Sequence, residues 1–144
     1  MITAVLLIAI MIAPVNAAQF TQPVTAPNPR PLSFANQTHN GAPRNFVREN
    51  IKWRATTTAS TSGAGGLNFS VALVRGERNG VGAEGFRNVR RNGTAQAAFN
   101  GVGAGTYHFR YQRTNPGDGI TIRSTGNVLM QSSILPWTES GIVR

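Results

Sequence analysis

The chain has no cysteine among its 144 residues. That excludes disulfide staples, thiolate catalysis and cysteine-ligated zinc, and leaves stability to a hydrophobic core. Acids are scarce as well: Glu49, Glu77, Glu84, Asp118 and Glu139 are the whole set, scattered along the chain. A glycosidase needs two carboxyls held about 5–10 Å apart, and calcium wants several oxygen ligands. No spacing here supplies either, and Asn115 with Asp118 reads as a turn. Imidazole is limited to His39 and His108. Asp118 leaves a Ser–His–Asp set with His108 open, but no serine stands in a nucleophile elbow, and His108, on the polar phase of its strand, reads as an exposed strand histidine. The expectation is therefore no catalytic residue, no metal site and no cofactor.

Long apolar runs are missing too. Ile2 to Ile12 is almost wholly apolar, but it falls short of the ~20 residues a membrane-spanning helix needs. Pro14 breaks the run, and Val15-Asn16-Ala17 fits a small-x-small cleavage pattern. Residues 1–17 read as a secretory signal peptide, with Ala18 as the new N-terminus. Met1-Ile2-Thr3 carries no Lys or Arg, so only the terminal amine supplies positive charge there. The expected location is outside the cell or on its surface, a setting that permits disulfides without requiring them.

Helical periodicity is the last absence. Residues 18–43 hold Pro23, Pro27, Pro29, Pro31 and Pro43, which remove amide donors and push their neighbours to extended geometry. That stretch reads as an extended linker. Beyond it the apolar period is two. Ile51, Trp53 and Ala55 alternate with Lys52, Arg54 and Thr56, and Leu67, Phe69, Val71 and Leu73 follow the same rule. Tyr107, Phe109 and Tyr111 alternate with His108, Arg110 and Gln112, and Ile120 and Ile122 with Thr121 and Arg123. Such alternation marks half-buried strands. Phe86–Arg90, Thr94–Phe99 and Asn127–Gln131 are shorter candidates.

Asn79-Gly80, Asn92-Gly93 and Asn100-Gly101 read as hairpin turns, and 115–119 as a denser turn cluster. The prediction is an all-β, small antiparallel β-sandwich or partly open barrel of about seven strands. It covers residues 44–132, followed by a tail at 133–144. The pentapeptide Asn-Gly-Val-Gly-Ala occurs at 79–83 and 100–104, too few copies for a solenoid. Gly80-Val81-Gly82-Ala83-Glu84-Gly85 has dinucleotide-type glycine spacing but lacks the βαβ context that motif needs. Asn36, Asn68 and Asn92 begin N-glycosylation sequons, of which Asn68 falls in a strand.

What the chain has in excess is arginine. Fourteen basic residues oppose five acids, for a net charge of +9, and only Lys52 is lysine. Arginine forks suit phosphate and carboxylate groups. Lys52, Arg54, Arg110 and Arg123 occupy the polar phase of their strands, so they are expected to share one sheet face rimmed by Arg87, Arg90, Arg91 and Arg113. Tyr107 and Tyr111 fall on the opposite phase, which removes the stacking aromatics of a single-stranded nucleic-acid binder. The leading expectation is a secreted, non-enzymatic module binding an anionic surface or polymer, such as cell envelope, acidic glycan or lipid headgroups. A secreted cationic antimicrobial or toxin-like effector is the alternative, and an exported enzyme or inhibitor with an unmarked site the third.

Overall fold

Alternating apolar side chains need a second sheet to bury against, and the structure supplies it. The structure, a computed structural model, describes residues 23–59, 68–76, 83–114 and 119–138, and for 83–90 the backbone alone. Among the described residues there are eleven strands and no helix: β1 Val24–Thr25, β2 Pro31–Phe34, β3 Thr38–Asn40, β4 Arg44–Phe46, β5 Asn50–Ala59, β6 Asn68–Arg75, β7 Ala83–Arg90, β8 Gly93–Phe99, β9 Gly105–Arg113, β10 Ile122–Asn127 and β11 Leu129–Ser133. All seven strands read from the sequence are present as β5 to β11. The first four were not foreseen.

The strands form two antiparallel sheets, one of them curled as a half-barrel. Several are halves of one lane. β10 and β11 both pair with the same edge of β5, Ile122 facing Ala59 and Leu129 facing Arg54. Between them the chain makes a bulge that includes Gly126 at φ 81°, a backbone region glycine enters without strain. β1 and β2 run along β11 and β10, and the break is bridged by Ala26 N–H to Met130 O (2.6 Å) and Val128 N–H to Arg30 O (3.1 Å). β3 and β4 run along β9, joined by Gly41 N–H donating to Phe109 O at 2.8 Å.

Read as lanes, sheet one is β1/β2, β10/β11, β5, β8, and sheet two is β3/β4, β9, β6, β7. Every connection except β6 to β7 crosses between the sheets. This nested order is that of a jelly roll. The Asn-Gly turns at 92–93 and 100–101 therefore do not close hairpins, as expected from the dipeptides. They carry the chain from β7 to β8 and from β8 to β9, across sheets. Asn79-Gly80, the 115–118 part of the turn cluster and the proposed signal peptide lie outside the described residues.

The linker expected at 18–43 is corrected by its described part. Within it Val24–Thr25, Pro31–Phe34 and Thr38–Asn40 are paired strands, the first two in sheet one and the third in sheet two. Proline is tolerated because β2 is an edge strand and Pro31 opens it, where no ladder donor is lost. Leu32 and Phe34 alternate inward and join the core. The tail expected from 133 is corrected likewise: Trp137 is buried, and its indole Nε1 donates to Asn50 O at 3.1 Å.

The core fills the space between the sheets. Trp53, Phe69, Phe109 and Ile122, the side chains expected there, are buried. Phe109 meets Phe46 edge-on with centroids 6.1 Å apart, and Trp53 meets Phe69 in the same way at 6.0 Å, an arrangement that suits the ring quadrupoles. On β6 the alternation is broken, because Ala72 and Val74, on the outward phase, are also fully buried. His108, opposite Val74 on β9, shares that covered outer region.

Candidate functional site

The register decides which cations meet. Directly opposite residues of paired strands lie on the same face. In sheet one, Lys52 faces Gln131 and Ala98, Arg54 faces Leu129 and Gln96, and Arg123 faces Thr58 and Ser33. Lys52, Arg54 and Arg123 therefore share the outer face of sheet one. Arg110 does not. It belongs to β9, faces Ala72 and Asn40, and lies on the outer face of sheet two, across the sandwich. Its Nε donates to Asn40 Oδ1 at 3.0 Å. Alternation gave the correct phase for all four, but phase says nothing about which sheet a strand joins.

Burial divides them further. Arg54 and Arg123 are exposed, Arg110 is half-buried, and Lys52 is only 6% exposed. The expectation that Lys52 projects freely fails because the C-terminal segment folds back over β5. The Lys52 ammonium sits 4.0 Å from the centroid of the Trp137 ring, within cation–π range. Desolvation by burial, and then the neighbouring Arg54, lower the Lys52 pKa.

Two members of the expected rim, Arg91 and Arg113, are buried. Arg113 is on the inward phase of β9 and is buried, with Nη1 donating to Ala35 O at the β2–β3 corner. Arg91 is buried at the turn where the chain passes from β7 to β8. The side chains of Arg87 and Arg90 lie outside the described residues. His108, expected on an exposed strand face, is fully buried. Its Nδ1 donates to Gly76 O at 3.2 Å, and its Nε2 has no hydrogen-bond partner among the described residues.

What remains on sheet one is a polar outer surface. Arg54, Thr56, Thr58, Thr94 and Arg123 are exposed there, and Thr56 and Thr94, opposite each other, share a hydroxyl hydrogen bond of 2.9 Å. Arg123 lies beside Thr58, four residues along β5 from Arg54. At ~3.4 Å per residue that separates the two Cα atoms by about 14 Å. An extended anionic surface or chain can meet both.

A second feature was invisible in the sequence. At the seam between β2 and the β3–β4 lane lies a cleft of about 240 Å³. Arg30 and Leu32 form one wall, His39 and Arg44 the other, and Tyr111, Val128 and Met130 line it from the core. His39 stacks on Phe34 (6.0 Å, 15°) and on Tyr111 (6.1 Å, 26°). The Nε of Arg44 is buried with no hydrogen-bond partner among the described residues. These residues are remote in sequence and converge only because β2 and β3 belong to different sheets, so no motif spacing could have grouped them. No protein-family model, no curated protein and no solved structure matches the chain.

Proposed function

We propose that the protein is a secreted, non-enzymatic binding module for an anionic surface or polymer of the cell envelope. The observation that carries this reading is the pair of exposed arginines, Arg54 and Arg123, on one polar outer face. They stand in a chain of net charge +9. A field of that sign draws polyanions from solution, with a reach of about 8 Å at physiological ionic strength. The spacing of the pair suits a partner with charge distributed along it. Among the described residues, the exposed positions of this face include no aromatic ring for base stacking, which disfavours single-stranded nucleic acid.

The test is co-sedimentation with vesicles of anionic phospholipid and, separately, with an acidic glycan, at low and high salt. A basic residue near an anionic lipid surface contributes about 1 kcal/mol, so the double variant Arg54→Gln, Arg123→Gln is expected to bind vesicles roughly tenfold to thirtyfold more weakly. Both positions are exposed, so unfolding midpoints should stay close to the parent. Parent binding should fall steeply with salt. Equal binding by the two proteins, or binding indifferent to salt, refutes the proposal.

A further inference from the structure

We infer that the seam cleft between β2 and the β3–β4 lane is a binding site for a small arylcarboxylate. It is separate from the outer face of sheet one and does not depend on that face's role. Two features of the cleft define the ligand. The first is charge. Arg30 and Arg44 line it from the β2 and β4 sides, no carboxylate side chain lines it among the described residues, and a carboxylate is the anion that an arginine fork binds in bidentate fashion. The second is the surface beside the charge. Leu32, Val128 and Met130 are buried apolar side chains, and the stacked rings of His39 and Tyr111 also line the cleft. A flat apolar body is favoured there, whereas a sugar would leave most of its hydroxyls without partners.

Size sets the rest. About 240 Å³ is below the ~300–1,000 Å³ of pockets that enclose drug-sized molecules. The cleft therefore suits one substituted ring with its acid group. Ala42, on the β3–β4 wall, is exposed and lines the cleft, so a bulky side chain there fills the space without disturbing the core.

Phenylacetate is the probe, titrated into isotopically labelled protein and followed by amide chemical shifts. The expected result is saturable binding with millimolar or tighter affinity and shifts centred on His39, Arg44 and Tyr111. Phenylacetamide, the neutral isostere, should bind at least tenfold more weakly, as phenylacetate should to Arg44→Gln. Ala42→Phe should abolish binding, and Arg54→Gln with Arg123→Gln should leave it unchanged. Absence of saturation by about 20 mM, roughly twentyfold above a dissociation constant of 1 mM, overturns the inference. So does parent-like affinity in Arg44→Gln or Ala42→Phe, or equal affinity for the amide. If Arg44→Gln fails to fold, Ala42→Phe and the amide control decide alone.

Discussion

Tyr111 is the residue in which core and site meet. Its ring closes the inner side of the seam cleft, and its hydroxyl accepts a hydrogen bond from Trp53 Nε1 at 3.1 Å, joining the two sheets through the core. Burial raises its pKa well above the ordinary phenol value, an effect that outweighs the Trp53 hydrogen bond and the nearby Arg44 charge, both of which lower it. The linkage follows from that direction. A folded-state pKa above the unfolded value of about 10 means that the stabilisation is complete below pH 10 and is lost as pH climbs beyond it. The expected behaviour is that Tyr111, isolated as the difference between the parent and Tyr111→Phe, ionises only above pH 10 and together with unfolding. Phenolate absorbance and circular dichroism recorded side by side check this. A reversible ionisation near 10 in protein that is still folded would contradict it.

At the scale of elements, β5 is the strand on which sheet one is organised, and its first residue ties three segments together. Asn50 Nδ2 donates to Ser133 O (3.1 Å) and Ile134 O (3.0 Å), and its Oδ1 accepts from Gly101 N–H (2.8 Å). Asn100 answers from the β8–β9 turn, with Oδ1 accepting from Trp137 N–H (2.9 Å) and Nδ2 donating to Trp137 O (2.9 Å). The C-terminal segment is thereby held over Lys52. In the same turn, Arg75 Nη2 donates to Val102 O and to the Tyr107 hydroxyl, both at 2.7 Å. The second copy of the pentapeptide is thus a fixed inter-sheet crossing. Asn50→Ala is expected to destabilise by about 3 kcal/mol in urea unfolding, because buried backbone groups lose their partners. Asn50→Asp should recover only the part owed to Gly101, since a carboxylate cannot donate to Ser133 and Ile134. A cost under about 0.5 kcal/mol for the alanine variant, the level of a neutral surface change, would mean that these bonds do not hold the segment.

For the whole molecule, closure depends on the N-terminal strands. β1/β2 pairs with β10/β11 and β3/β4 with β9, so the first four strands seal against the last three. Phe34 fills the seam, 5.7 Å from both Phe69 and Tyr111 between ring centroids. Phe34→Ala is expected to cost about 3–5 kcal/mol, the range for emptying a large aromatic site. A free linker would tolerate the same change within about 0.5 kcal/mol. Equilibrium urea unfolding separates the two outcomes, and the near-neutral one would return residues 24–40 to the status of a spacer. The long strands β5, β6 and β9 were legible because many alternating positions in a row mark a strand without reference to its partner. β2 was not. Four residues beginning with proline carry too little local signal, and they are extended because β10 is there to pair with them.

The sequence by itself determined an all-β chain without disulfides, the inward phase of each long strand, and the large excess of arginine. These are local or additive properties: period two is written in neighbouring residues, and charge is a sum. Only the tertiary structure decided what those residues face. It put Arg110 across the sandwich from Arg54 and Arg123, drew Arg113 inward at a sheet corner, and covered Lys52 with Trp137. It also brought Arg30 and Arg44 to opposite walls of one cleft. The reason is that sheet membership and register come from pairing between segments distant in the chain. A strand's own pattern fixes which side chains point inward, but not which strand lies beside it.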